Sequence, residues 1–503
     1  MSTQFESLLI RGGRVLRGDL ATTAEADLLV ERGWIAAIEP AGTITREGRQ
    51  VFDASDRLLI PGLVNAHTHG HGALAKGLIG DRVPLEVFLN ANGAVNGNRT
   101  VEDKRLTAKL SAVELVRKGC TACYDLFAEF PAPSREGLDA VAEAYAEVGI
   151  RAVVAPMMAD RTLFEALPGL IESLPDPLRR KAEALKTAPY EVSLEAARDV
   201  LTHWSHDRDR IRPAVAPTIP LHCSDDFMIG CKQLAAEFDV PLQTHLAETK
   251  AQAVLGTKRY GRSLTAHLES LGLIGAGFSA AHGIWLDDED MSRLGAAGAS
   301  VAHNPMSNLR LGSGVAAVRR LLRAGVNVGI GTDATNTSDG QNMFEAMRLA
   351  AGLSRIADPD PSAWLSVEEA FAAATTGSAA ILGFDRVGRL EPGWRADIVF
   401  LDLAHINYVP LHSPLRQIVF AENGAAVASV MIDGRMILQD GQLTTIDEAG
   451  LRREVEAAAQ RLDAANAAAR AEAHALADLV GCFCLAHARQ AWPVHRRLPD
   501  DQT

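Results

Sequence analysis

The segment PGLVNAHTH spans residues 61–69 and joins an apolar run to two histidines. Residues two apart in a strand point to the same side, so His67 and His69 can present two imidazoles to one metal ion. Such a pair alone is weak evidence, because it occurs by chance on exposed surfaces. Its place at the end of an apolar strand makes it a moderately specific candidate for a metal site.

Further along the chain, short β-branched runs alternate with longer stretches whose apolar residues have helical spacing. This alternation is typical of repeated βα units, which form a parallel sheet. In a closed parallel barrel the carboxyl ends of all strands meet at one mouth. Polar residues at those ends are therefore expected to lie together. Four strands are predicted in series at residues 240–245, 278–282, 299–303 and 326–333.

Three of these strands end in, or lead directly into, side chains capable of the expected chemistry. His245 offers another imidazole, and Glu248, three residues later, is placed to carry a proton. His282 and Asp333 each end an apolar strand, where burying a lone polar group is costly unless it has a partner. Each of these residues, considered alone, could have a structural role as easily as a catalytic one. The whole series favours a metal-dependent active site.

The two ends of the chain have a different pattern from the middle. Short alternating segments separated by tight-turn residues fill the first sixty positions, and similar segments return after residue 390. We expect residues 1–60 and 387–446 to pair into one small β-sandwich domain. Residues 61–386 are expected to form the barrel, and the alanine-rich residues 447–503 a helical extension.

Composition excludes several classes of protein. The 503 residues are 47% hydrophobic and 22% charged, which is ordinary for a globular protein, and the net charge of -13 disfavours binding to nucleic acid. No apolar run approaches the length of a membrane span, and six cysteines do not form a disulfide framework in so long a chain. We expect a cytoplasmic protein that binds neither nucleic acid nor a membrane.

The ordered motifs together resemble the amidohydrolase superfamily. Within it they are similar to the branch of cytosine, guanine and adenosine-type deaminases and triazine hydrolases. The resemblance covers most of the chain and is much more specific for the fold than for the substrate. The motifs are HTH at 67–69, HLAE at 245–248, AHG at 281–283, AHNPMSN at 302–308, GTD at 331–333 and GWRADI at 393–398.

The resemblance implies an α/β fold, a distorted (β/α)8 TIM barrel, holding one divalent metal ion, with zinc expected and iron as the alternative. The implied metal ligands are His67, His69, His245 and Asp333. The implied catalytic residues are Glu248, His282 and Asp333. Glu248 in the HLAE motif, and no lysine in a bridging position, favour the mononuclear pattern.

The reaction implied is deamination of a small nitrogen heterocycle, and the resemblance also implies a homo-oligomer, a dimer or larger. Metal-bound hydroxide would attack an amidine-type ring carbon and ammonia would leave. Glu248 would protonate the neighbouring ring nitrogen, while Asp333 and His282 would accept the proton of the water. A catalytically silent barrel is disfavoured, because neither Glu248 nor any implied ligand is lost.

Two departures from the family pattern and one further resemblance bear on the substrate. Thr218 stands where adenosine-type deaminases of this branch carry a histidine, which disfavours a nucleoside. A tryptophan common after the HxH strand is replaced around Phe88. Residues 333–343 have the spacing of triazine hydrolases, so release of chloride or an alkylamine from a triazine, or hydrolysis of a cyclic amide, is the alternative.

Two further histidines have less support. His71 is expected to be a loop residue exposed to water rather than part of the entrance to the site. His222 is expected in a loop near the barrel mouth, with substrate contact the less favoured interpretation. Ser307 and Asn308 are expected to stabilise the loop after the seventh strand.

Overall fold

The computed structural model describes residues 5–20 and 22–497, so the outermost residues of the predicted terminal segments, 1–4 and 498–503, and residue 21 lie outside it. The strands are β1 (Ser7–Leu16), β2 (Thr23–Glu31), β3 (Trp34–Pro40), β4 (Gln50–Asp53), β5 (Arg57–Pro61), β6 (Leu63–Thr68), β7 (Cys120–Ala128), β8 (Arg151–Met158), β9 (Ile211–Pro213), β10 (Ala216–Pro217), β11 (Leu242–Leu246), β12 (Phe278–His282), β13 (Ser300–His303), β14 (Asn327–Ile330), β15 (Ile398–Asp402), β16 (Val427–Ile432), β17 (Arg435–Gln439) and β18 (Gln442–Leu443).

Nineteen α-helices lie in the described residues. They are α1 (Leu85–Val95), α2 (Val101–Arg117), α3 (Arg135–Val148), α4 (Leu163–Ala166), α5 (Leu170–Ser173), α6 (Asp176–Ala184), α7 (Tyr190–Thr202), α8 (Asp225–Phe238), α9 (Lys250–Tyr260), α10 (Leu264–Ser270), α11 (Asp288–Ala296), α12 (Pro305–Arg310), α13 (Val318–Arg323), α14 (Thr335–Ser338), α15 (Met343–Ala357), α16 (Val367–Ala372), α17 (Ser378–Leu382), α18 (Pro414–Phe420) and α19 (Glu448–Ala488). Short 3-10 helices occupy Gly70–Ala75, Pro220–His222, Pro361–Ala363 and Ile406–Tyr408, and a π-helical turn occupies Ala373–Gly377.

Strands from both ends of the chain form one sheet. β5 is its centre, pairing in parallel with β1 and antiparallel with β15, so that Ile60 lies opposite Val399. The full order is β18-β17-β16-β15-β5-β1-β2-β3, with β4 also paired to β1. Leu28, Phe400 and Met431 belong to one core shared by the two segments. The composite β domain is therefore present, and its boundaries at residues 60 and 387 stay a prediction.

Eight parallel strand positions form the barrel, with β9 and β10 sharing the fourth. β6, β7, β8 and β10 run side by side, as do β11 to β14, and a bridge between Val215 and Leu242 joins the two groups. On the opposite side, the Asp333 amide donates to the His67 carbonyl at 3.0 Å. These contacts close the barrel and confirm the predicted fold class.

Glycine permits the closure between β14 and β6. A Cβ added at Gly331 would lie 2.8 Å from the His67 carbonyl oxygen, and one at Gly329 would lie 2.9 Å from the Ala66 Cβ. A larger residue at either position would push the strands apart. The absence of side chains here therefore brings the end of β14, with Asp333, against the HxH segment.

The C-terminal extension covers one side of the barrel mouth. The long helix α19 packs across α1, α2 and α9, and the Asn90 amide on α1 donates to the Ala473 carbonyl at 2.7 Å. Beyond α19 the chain turns back, and the Val315 amide donates to the Arg496 carbonyl at 2.7 Å. No helix within residues 5–20 and 22–497 combines the length and apolarity needed to cross a bilayer.

A buried ion-pair network joins the barrel to the β domain. Arg151, at the first position of β8 and only 1% exposed, donates from Nε to Asp397 at 2.8 Å and from Nη2 to Asp433 at 3.0 Å. We expect Arg151→Met to lower the free energy of unfolding by about 3–5 kcal/mol, because it leaves the buried Asp397 carboxylate without its cation, whereas Asp433 keeps Arg395 at 3.2 Å. Urea denaturation measures the change. Arg452→Met, at a side chain 79% exposed, is the matched control, and equal midpoints for the two variants would contradict this role.

Candidate metal centre and active site

The predicted site residues lie at the carboxyl ends of four strands around the barrel mouth. His67 and His69 end β6, and His245, His282 and Asp333 follow at β11, β12 and β14. Two of them, His282 and Asp333, have positive φ angles of 70° and 61°. Such backbone conformations are strained for residues other than glycine and occur preferentially at functional sites. The structure thus brings together the residues that the sequence predicted.

Hydrogen bonds fix the tautomers of His69 and His245. Nδ1 of His69 lies 2.7 Å from the Leu126 carbonyl oxygen, and Nδ1 of His245 lies 2.6 Å from the Thr218 carbonyl oxygen. A carbonyl oxygen only accepts, so each Nδ1 carries the proton. Burial lowers the pKa of His69 to about 4 and the pKa of His245 well below its usual range, so both rings are neutral near pH 7. Each Nε2 therefore presents a lone pair.

His67 is oriented in the same way by a side chain. Its Nδ1 lies 2.6 Å from Oε1 of Gln243, whose Nε2 donates to the Ala66 carbonyl and to Ser279. These two donations set which way the Gln243 amide faces, so Nδ1 of His67 is the donor. Nε2 of His67 is buried and has no hydrogen-bond partner among the described residues.

The three Nε2 atoms meet at one point, which tests whether a metal ion fits. Nε2 of His69 and Nε2 of His245 are 3.1 Å apart, and neither carries a proton to place between them. Two facing lone pairs repel, whereas a cation between them satisfies both. The three imidazoles lie within 4.8 Å of one another at their ligand atoms. This donor set suits zinc, and it equally accommodates iron.

Asp333 adds a carboxylate beside these imidazoles. Its Oδ1 lies 3.3 Å from Nε2 of His69 and 3.5 Å from Nε2 of His67, and its Oδ2 lies 3.9 Å from Nε2 of His282. The Ala334 amide donates to Oδ1 at 2.7 Å and holds the side chain in place. Three imidazoles and one carboxylate are therefore arranged around a single position.

His282 faces the same position from the β12 end. Its Nδ1 lies 2.8 Å from the Asn308 side-chain oxygen, and burial lowers the pKa of His282 to about 4. The ring is neutral near pH 7, and with Nδ1 as the donor, Nε2 is free to accept a proton. Nε2 lies 3.5 Å from Oε2 of Glu248. His282 and Glu248 can therefore exchange a proton with a bound molecule on the side of the site that they share.

Glu248 is a buried carboxyl held by its own loop. Its amide donates to Oε1 of Gln252 at 2.9 Å, and Ser313 Oγ donates to its Oε1 at 3.4 Å. Burial, followed by the nearby carboxylates of Asp333 and Glu86, raises the pKa of Glu248 well above its usual range. The raised pKa keeps Glu248 protonated to a higher pH than an exposed glutamate, so its carboxyl can act as an acid.

A small cavity adjoins these groups. Apolar side chains from α1 and the third and fourth strand ends form most of its wall, and a few polar groups face inward. It is lined by Leu85, Phe88, Leu89, Asn92, Met157, Thr218, Ile219, Ala334 and Thr337 together with His69, His71, His245, Glu248, His282 and Asp333. An apolar slot with a few converging polar groups is typical of a site for a small flat ligand.

The prediction for His71 is wrong. Its side chain is only 3% exposed, because the 3-10 helix that begins at Gly70 folds back into the mouth. Nδ1 of His71 accepts from the Ala128 amide at 3.2 Å, and the ring contacts Phe127. His71 therefore lines the cavity that the sequence analysis placed it outside.

Other residues of the site had weaker signals. His222 lies in the 3-10 helix Pro220–His222 and is buried, and it is not among the residues lining the cavity. Asn308 supports His282 rather than only its own loop. Gln243 was missed, although it stands two positions before His245 on the same face of β11, a spacing that points to support of the site.

Fold and side chains together define a hydrolytic enzyme that acts on carbon–nitrogen bonds. The amidohydrolase family model matches residues 58–437, and the chain belongs to that family. It is 32% identical over 443 residues to 5-methylthioadenosine/S-adenosylhomocysteine deaminase of Pyrococcus abyssi, covering 88% of this chain and 96% of that protein. It is 33% identical over 463 residues to 5'-deoxyadenosine deaminase of Methanothermobacter thermautotrophicus, covering 91% and 99%.

Solved structures of similar proteins share the fold and are also hydrolytic enzymes. A zinc-bound adenosine deaminase from Xanthomonas campestris superposes with a TM-score of 0.79 at 29% identity, covering 91% of this chain and 98% of that one. A zinc complex of atrazine chlorohydrolase from Arthrobacter aurescens has a TM-score of 0.79 at 26% identity, covering 90% and 100%. The predicted superfamily, barrel fold and hydrolytic deaminase class are confirmed.

Proposed function

We propose that the protein is a metal-dependent aminohydrolase that deaminates a small amino-substituted nitrogen heterocycle. The observation that carries this proposal is the 3.1 Å approach of the His69 and His245 Nε2 atoms, with Glu248 close to His282 across the site. A cation position on one side and a buried acid on the other are what hydrolysis at an amidine carbon needs.

His67, His69, His245 and Asp333 would hold one divalent cation. Such a cation lowers the pKa of a bound water towards neutrality and so supplies a nucleophile at physiological pH. Its ligands are fixed by Gln243 and by two main-chain carbonyls, which keeps each Nε2 directed inward. Metal-binding histidines are usually oriented in this way, by a hydrogen bond from the ring nitrogen that does not bind the metal.

Side chains of the protein carry out the proton transfers, each at a different step. Asp333 and Nε2 of His282 are placed to take the proton of the attacking water, and Asn308 keeps the His282 ring in the accepting tautomer. Glu248, whose pKa is raised by burial, donates in its acid form to the ring nitrogen next to the attacked carbon. That donation allows the carbon to become tetrahedral, and the amine then leaves as ammonia after a second proton transfer.

The apolar wall of the cavity favours a flat ring. Phe88, Leu85 and Ile219 offer apolar contact to a ring face, while Thr218 replaces a histidine at the wall. Relatives named as deaminases of adenosine-type nucleosides support a 6-aminopurine ring as one member of this class. Thr218 supports a free base over a nucleoside.

Ammonia release against matched substrates tests the proposal. Aminopurines and their nucleosides, aminopyrimidines, aminopterins and aminotriazines are incubated with metal-loaded protein, and ammonia, chloride and alkylamine are measured together. We expect ammonia from at least one amino heterocycle. Chloride or alkylamine without ammonia would replace the proposal with triazine hydrolysis, and ring opening would replace it with cyclic-amide hydrolysis.

One metal ion per chain is expected, because three imidazoles and one carboxylate converge on a single position. Elemental analysis of protein purified without chelator should give about one zinc or iron per chain. Exhaustive chelation should abolish turnover, and added zinc should restore it. Two metal ions per chain, or turnover unaffected by chelation, would contradict a mononuclear site.

The proposal includes three finer expectations. Zinc is favoured over iron, supported by the zinc present in two structurally similar proteins. The chain is expected to form a homo-oligomer, which sedimentation measures. The cytoplasm is the expected compartment, supported by an acidic composition with six cysteines, all free.

A further inference from the structure

We infer that Arg496, in the C-terminal segment that follows α19, is a positioning residue for Glu248. The inference rests on the proposed function, in which Glu248 carries the proton. The segment Trp492–Arg497 is here called the C-terminal strap. It lies against the two loops that flank the Glu248 side chain, and Arg496 makes its central contacts.

Arg496 binds the loop after β12. Its side chain is largely buried; Nε donates to the Ile284 carbonyl at 2.8 Å and Nη2 donates to the Leu286 carbonyl at 2.7 Å. Two donations from one planar guanidinium to carbonyls two residues apart fix the backbone on both sides of Trp285. Lysine cannot reproduce this geometry, since its ammonium is a single point donor.

The same residue binds the loop between α12 and α13 through its backbone. The Arg496 carbonyl accepts from the Val315 amide at 2.7 Å. The neighbouring Gly314 has a φ of 129°, and a Cβ there would lie 2.9 Å from that carbonyl oxygen. Glycine is therefore required for the close approach of the C-terminal strap to the loop.

The two loops that Arg496 contacts each bind Glu248 or the residue before it. Ser313 donates to the Glu248 carboxyl, and the Trp285 amide donates to the Ala247 carbonyl at 2.9 Å. The Trp285 indole N–H also donates to the Ser313 carbonyl at 2.8 Å, so the two loops hold each other. Arg496 thus fixes one contact to the Glu248 side chain and one to the backbone before it.

The C-terminal strap lies outside the part of the chain that the family model matches, which ends at residue 437. Support for a barrel-loop acid is therefore supplied here by a segment beyond the matched fold. A proton carrier displaced by about 1 Å can lose about 100-fold in rate, so this contact bears on turnover and not only on stability.

A double-mutant cycle in the full-length, metal-loaded protein tests the inference. Arg496→Lys should lower kcat by about 10- to 100-fold with little change in KM and with full metal content. Ser313→Ala alone should lower kcat by about 3- to 10-fold. If Arg496 acts by placing Ser313, adding Ser313→Ala to Arg496→Lys should have no further effect. Arg489→Lys, at an exposed arginine near the end of the same extension, should match the wild type.

Three outcomes separate the possibilities. Non-additive kcat effects with unchanged metal content support the positioning role. Wild-type kcat for Arg496→Lys, or effects of the two substitutions that simply multiply, would overturn it, whatever the melting temperatures. If Glu248→Gln itself keeps wild-type turnover, the proposed function has failed at Glu248, and that result is independent of the cycle.

Discussion

Replacing Glu248 by glutamine is expected to lower kcat by about 10²–10⁴-fold while leaving the fold and the bound metal unchanged. Glutamine has the shape of the protonated carboxyl and can still accept from Ser313. It cannot release a proton to a ring nitrogen. Turnover and metal content are measured on whichever heterocycle releases ammonia.

The pH dependence gives a second measure of the same role. Since burial raises the pKa of Glu248, its acid form persists to a higher pH than that of an exposed glutamate, and wild-type kcat/KM should fall as the pH rises above that pKa. Glu289→Gln, an exposed glutamate on α11, is the control and should leave both quantities unchanged. Near-wild-type turnover in Glu248→Gln would show that another group is the acid.

Asp333→Asn should have a different and larger effect, with both the rate and the metal lost. The carboxylate lies within 3.3–3.5 Å of two ligand nitrogens and also faces His282, so one substitution removes a negative ligand and a proton acceptor together. An amide oxygen carries no charge and binds a divalent cation less strongly. Activity should fall to the level of the metal-free protein.

Elemental analysis and kinetics at saturating zinc separate the two losses. If excess zinc restores occupancy in Asp333→Asn, the remaining deficit in kcat measures the proton-accepting role alone. Asp226→Asn, at an exposed aspartate in the first turn of α8, should keep both metal and rate. Full occupancy with full activity in Asp333→Asn would remove Asp333 from the site.

The sequence predicted the central residues because each has a local signal. His67, His69, His245, His282 and Asp333 all stand at or just beyond the ends of apolar strands, and a parallel barrel brings those ends together whatever the loops do. Strand periodicity therefore predicted that these side chains meet, whereas their roles as ligands or proton carriers were implied by the resemblance to the amidohydrolase superfamily and stay predictions. The prediction needed no knowledge of distances.

The residues that escaped prediction depend on contacts between distant segments. Nothing near His71 in the sequence shows that its 3-10 helix turns into the mouth, so its burial was not foreseen. Ser313 contacts Glu248, and Arg496 contacts the loops beside it, only because these segments meet in three dimensions. Local patterns describe which face of a strand is buried, and they do not describe which loop covers it.

The sheet formed by both ends of the chain has a consequence for folding. β5 is complete only when β15, from the far side of the barrel, has paired with it. Contacts between such distant residues close slowly, because the entropy of the intervening chain must first be overcome. Until then the N-terminal strands present an open edge of unpaired backbone groups, the kind of surface to which other chains add in edge-to-edge association. Concentration during refolding should therefore affect this protein's yield through its first sixty residues more than through its catalytic barrel.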